Sequence, residues 1–194
     1  VPVPASATYI SQLLRDKQGN IWMAGPDYGL SRSPGNDLRL FALYPPAFFE
    51  TIHAILYDSQ GNIWVNDDMA LIRFTPQQQG FVSKKFPIPG LDFATDITAL
   101  YEDIYQHIWI GTMGKGIYVF NPTTGQMRQL DESAVFKNAS LLSISGKDST
   151  VFVCSMQGAS SITLSGENKN INAPYSFKGI HNINTGSNYI YSIF

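Results

Sequence analysis

The chain has 194 residues, 13 of them basic and 15 acidic, with a formal charge of −2. Hydrophobic residues make up 44% and aromatics 13%, which excludes a disordered polymer, since disorder needs few aromatics and a high net charge. The near-balanced charge argues against a nucleic-acid surface, the single cysteine closes no internal disulfide and builds no zinc quartet, and no apolar run approaches the roughly 18 residues of a membrane-spanning helix.

Taken in order, the start Val1-Pro2-Val3-Pro4-Ala5 has neither a charged n-region nor an apolar h-region, so an intact signal peptide is not expected there. A short apolar strand, Ile10 to Leu14, leads into the turn Asp16-Lys17-Gln18-Gly19-Asn20-Ile21-Trp22. A second strand, Ile52 to Tyr57, leads into Asp58-Ser59-Gln60-Gly61-Asn62-Ile63-Trp64, and a third, Ile97 to Tyr101, into Asp103-Ile104-Tyr105-Gln106-His107-Ile108-Trp109. A fourth, Leu141 to Ser145, precedes Val151-Phe152-Val153-Cys154, with Phe152 in the tryptophan slot. A fifth begins at Ile180, and the closing segment Tyr189 to Phe194 reads as a strand, so the chain is expected to be a piece of something longer.

After each tryptophan slot come a further strand, a turn that is Pro-bearing in the first three units (Ser33-Pro34, Thr75-Pro76, Asn121-Pro122), and a last strand: Leu38 to Tyr44, Phe81 to Phe86 and Met127 to Leu130. The fourth unit uses Ser165-Gly166-Glu167-Asn168 in place of proline. Four short strands per roughly 40–45 residues is the period of a β-propeller blade. The predicted fold is therefore all-β: four four-stranded blades over about 8–45, 50–87, 95–131 and 140–174, and part of a fifth over 179–194, in one domain. No segment sustains a 3.6-residue period, so no helix is expected. The aspartates should accept hydrogen bonds from the backbone two residues on, and Gly19 and Gly61 should supply a positive φ. Trp22, Trp64, Trp109 and Phe152 are expected in the core between blades.

The D-x-x-G-N-I-W turn, together with Ile108-Trp109-Ile110-Gly111-Thr112 and Gly116-Ile117-Tyr118-Val119-Phe120-Asn121-Pro122, resembles the two-component regulator propeller repeat. The resemblance implies a seven-bladed propeller of which this chain is a fragment. It also implies the periplasmic sensor part of a hybrid two-component histidine kinase, a regulator anchored in the inner membrane, many members of which detect polysaccharide fragments. Unit two departs from the pattern with Asn66-Asp67-Asp68 in place of Gly-Thr, and unit four lacks the Trp, Gly and Pro.

Candidate ligand-binding residues follow from chemistry and position. Adjacent carboxylates at Asp67 and Asp68 can accept hydrogen bonds from hydroxyls or hold a cation. His53 and His181 share one slot in their units, and histidine can act as acid, base or ligand near neutral pH. The links between blades carry Phe49, Asp92 and Phe93, an apolar ring face beside polar groups, as a sugar site requires; Lys115 joins them from the turn after the Trp109 strand. His107, in a hairpin turn, is expected to be exposed, and Cys154 to be a buried, inert thiol. No cofactor, metal or catalytic residue is expected. The leading expectation is a ligand-sensing module without chemistry of its own, bound to a small molecule or oligosaccharide and joined to further blades and a kinase portion, with a homodimer compatible. The alternatives are a propeller enzyme resembling the streptogramin lyases, through His53 and His181, and a protein-interaction scaffold.

Overall fold

The computed structural model describes residues 10–25, 29–34, 41–44, 52–67, 69–78, 80–92, 95–131, 136 and 138–179. The chain divides into two compact units, Val1–Ile88 and Pro89–Phe194. Each holds two four-stranded antiparallel blades whose strands are neighbours in chain order.

In the first unit, blade one is β1 (Gln12–Arg15), β2 (Ile21–Gly25), β3 (Gly29–Ser33) and β4 (Phe41–Tyr44). Blade two is β5 (Ile55–Tyr57), β6 (Ile63–Asp67), β7 (Ala70–Pro76) and β8 (Phe81–Pro87). Trp22, Ala24 and Leu30 of blade one meet Ile52, Ile55, Ile63, Val65, Ile72 and Phe74 of blade two in one buried cluster. A blade this thin cannot bury its own face, so stacking supplies the core.

In the second unit, blade three is β9 (Ile97–Glu102), β10 (Ile108–Thr112), β11 (Ile117–Phe120) and β12 (Met127–Gln129). Blade four is β13 (Leu141–Lys147), β14 (Thr150–Ser155), β15 (Gly158–Thr163) and β16 (Phe177–Gly179). Ala99, Trp109 and Val119 pack with Ile144, Val151, Val153 and Ile162 in the core of this pair. Gly111 is dictated by that stacking: a Cβ there would lie 3.1 Å from the Leu141 Cβ and 3.3 Å from the Ala99 Cβ.

The fold is all-β with blades of the predicted kind, and it differs from the sequence reading at four points. A 3-10 turn, Gly166–Lys169, stands where no helix was expected. The outer strand of blade four lies at Phe177–Gly179, beyond residue 174, because this turn and the loop after it lengthen the connection. Phe152 is only partly buried; blade four's tight Asp148-Ser149 hairpin shifts the register, and Val151 and Val153 supply the core contacts instead. His107 is 2% exposed rather than open to solvent. The fifth unit, from Ile180 on, lies outside the described residues.

Candidate functional site

The repeated turn joins two residues that sequence reading treats separately. Asp58 Oδ1 accepts from the backbone of Gln60 (3.0 Å) and Asn62 (2.7 Å), while Oδ2 accepts from Asn62 Nδ2 (2.7 Å) and the Trp64 indole Nε1 (2.8 Å). Asp16 holds Asn20 and Trp22 in the same way, each bond 2.8 Å long. Asp103 holds Trp109 Nε1 at 2.8 Å and the backbone of Tyr105 and His107 at 2.8 and 3.0 Å. A large aromatic can thus be buried with its polar edge satisfied. Gly19 and Gly61 carry φ of 84° and 89°, as the turn demands, and Gln106 adopts φ 64° at the same position of blade three. His107 replaces the turn asparagine. Its Nε2 lies 3.2 Å from Asn121 Nδ2, and its Nδ1 lies 3.5 Å from Asp103 Oδ2.

Each blade has two ends: one carries these turns, the other the links between blades. Of the sequence-predicted ligand residues, the described ones, His53, Asp67, Asp92 and Lys115, belong to the link ends. In blade two, His53 is half-buried and its backbone N–H, with that of Ala54, donates to Asn66 Oδ1, both at 2.9 Å. Asn66 is 1% exposed and pins the incoming link. Asp67, partly exposed, pairs with Lys85 across the blade, so its carboxylate is not unpaired. In the second unit, Asp92 and Lys115 pair at 3.4 Å. Phe49, Asp68, Phe93 and His181 lie outside the described residues. Among the described residues, no group of three or more His, Cys, Asp or Glu side chains is placed to hold a metal ion. Cys154 is buried, and burial pushes its thiol pKa up against a smaller lowering by a Ser143 hydrogen bond.

The turn end of the first unit holds a feature that the sequence reading passed over. A cavity of about 530 Å³ opens between blades one and two, lined by Asp16, Lys17, Gln18, Arg32, Tyr57 and Phe81 among others. Arg32 is the cross-strand partner of Trp22 and lies over its ring at 5.9 Å; Arg73 stands in the same relation to Trp64 at 5.6 Å. Phe81 meets Trp22 edge-on at 5.6 Å, and the Tyr57 hydroxyl donates to Gln18 Oε1 at 3.1 Å. In the second unit the matching joint is filled. The Tyr105 hydroxyl donates to the Ser165 carbonyl at 2.9 Å, Lys169 of the 3-10 turn lies over the Tyr105 ring, and Tyr175 meets Trp109 edge-on at 5.3 Å. The sequence signal at the cavity is Arg32, ten residues after Trp22.

These turns and blades define a β-propeller fold. The family described as two component regulator propeller matches residues 5–27 and 92–114. No curated protein matches the sequence. Among solved structures, the chain is similar to the extracellular domain of the BT4673 one-component system of B. thetaiotaomicron, with a TM-score of 0.73 and 21% identity, over 100% of this chain and 26% of that one. A second structure of the BT4673 extracellular domain, described as a hybrid two-component system, gives a TM-score of 0.71 and 21% identity over 98% and 25%. The virginiamycin B lyase of Staphylococcus aureus, in a catalytically inactive form with quinupristin, gives 0.70 and 15% identity over 94% and 59%. The chain thus spans about a quarter of the BT4673 domain it resembles.

Proposed function

We propose that this chain is part of the extracytoplasmic ligand-sensing module of a two-component signalling protein. The observation that carries the reading is the recurrence of that family's repeat at residues 5–27 and 92–114. The BT4673 domains, described as extracellular, agree with it in fold. In this reading the chain performs no chemistry. It binds a small molecule, and binding shifts the balance between two states of a longer protein that carries further blades and a kinase portion, which requires different affinities for the two states. The ligand class we favour is an oligosaccharide fragment or similar polar molecule. The link-end groups Asp67, His53, Asp92 and Lys115, together with Phe49, Asp68, Phe93 and His181, remain proposed contacts, with the ion pairs of Asp67 and Asp92 opening if a ligand takes their place. The location proposed is the periplasm, on the outer side of the inner membrane.

The test uses the intact protein with its output gene fused to a reporter. Soluble glycan fragments are supplied one class at a time. A ligand that induces the reporter, and loses that effect when Trp64→Ala disrupts blade two, supports the sensor reading. Induction that survives loss of these blades would refute a sensing role for this segment.

A further inference from the structure

We infer that the cavity between blades one and two is a binding site for a monocarboxylate carried on a hydroxylated six-membered ring, the chemistry of a hexuronic acid or a cyclic hydroxy acid. The inference deepens the ligand-sensing reading and rests on it for biological purpose, though not for binding.

Charge argues for the carboxylate. Lys17 and Arg32 both line the cavity. Among the described residues, neither has an ion-pair partner. The Arg32 Nε–H is out of reach of solvent and makes no hydrogen bond. A guanidinium resting over an indole is oriented before any ligand arrives, and its fork suits a carboxylate. The third charge in the cavity, Asp16, is engaged by its own turn, both oxygens accepting from Asn20 and Trp22. Two cations and one anion leave a net charge of one, which matches a monocarboxylate better than a phosphate dianion, whose second charge would face Asp16.

Shape and polarity argue for the ring. Tyr57 and Phe81 give aromatic walls, and Gln18, Asn20, Ser59 and Gln60 add amide and hydroxyl groups to the lining. Apolar walls with a few polar groups is the usual make-up of a small-molecule site, and about 530 Å³ lies within the usual range of volumes. The filled joint of the second unit shows that the same blade geometry can be closed when the connecting turn is long enough.

The experiment is calorimetric titration of the full chain with D-glucuronate, quinate, glucose and inorganic phosphate. We expect one or both ring acids to bind, glucose to bind about tenfold or more weakly than the better acid, and added salt to weaken the acid. A preference between glucuronate and quinate identifies the source of the ring acid. Arg32→Gln should lower affinity about tenfold or more. Lys17→Gln, at an exposed position, should lower it severalfold with the fold intact. Arg73→Gln removes the matching stack of blade two outside the cavity and should leave affinity unchanged. Any of three results overturns the site: neither acid binds, glucose or phosphate binds as well as the acids, or Lys17→Gln leaves affinity at the original value. If the acids bind but the intact protein's reporter ignores them, the sensing role for this site fails and the site itself stands.

Discussion

At the residue scale, the carboxylate of each repeated turn is both a turn cap and a clamp on a tryptophan. Asp58→Ala strands the Trp64 indole N–H and the Asn62 amide in a buried place, and we expect a loss of about 2–4 kcal/mol, read from urea unfolding. Asp16 adds a pH dependence. Burial alone would raise its pKa, but the hydrogen bonds from Trp22, Asn20 and Gln18 outweigh burial and hold it below the ordinary 3.8. A carboxyl lowered on folding stabilises the fold above its unfolded value, and that gain is lost as pH falls through the lowered value. Asp16→Asn should therefore show a shallower acid limb below about pH 4 than the unaltered chain, measured by thermal unfolding across pH. Gln106 holds a left-handed φ of 64° where blades one and two use glycine; Gln106→Gly should stabilise by about 1 kcal/mol, as a rise in the urea midpoint. Aspartate and tryptophan were each legible in the sequence. The bond between them was not, because a six-residue separation belongs to no secondary-structure period. His107 departs from the expected exposure for a related reason: a turn position is normally open, but this one substitutes for an asparagine that is buried in blade two.

At the element scale, the four-strand blade was readable from alternating apolar runs and the turn residues between them. What the pattern could not supply was how one blade meets the next. The inner strands are tied by side chains: Gln12 accepts from the Ile55 N–H, and the Thr98 hydroxyl donates to the Leu141 carbonyl at 2.8 Å. Arg128 of β12 donates to the Ile171 and Ala173 carbonyls, both at 2.9 Å, fastening blade three to the loop of blade four. Such long-range partners have no local signature. The cavity has no local signature for the same reason, since its walls come from β1–β2, β3, β5 with the turn after it, and β7–β8, and converge only on stacking. One joint can be tested by filling it. A Cβ on Gly146 would run into the Tyr101 hydroxyl and lie 2.8 Å from the Thr150 carbonyl, so Gly146→Ala should destabilise the chain by about 1–3 kcal/mol in urea unfolding.

At the scale of the whole molecule, each unit has its own core, and blade one keeps an apolar side chain on the face away from that core. Leu13 is 60% exposed, whereas its neighbours Leu14 and Trp22 point into the first-unit cluster. An array of blades gains stability from neighbouring interfaces. Leu13→Ser should therefore change the stability of the 194-residue chain by no more than about 0.5 kcal/mol. In a longer protein in which a further blade stacks on this face, the same change should cost about 2 kcal/mol or more. Equal effects in the two settings would mean that no blade covers Leu13. The clamped indoles also make the molecule optically addressable. Each of the first three blades holds one tryptophan in a fixed polar setting, and the fourth holds none. With Trp22 and Trp64 changed to phenylalanine, every photon of indole emission would come from Trp109, and the second unit could be watched melting by itself.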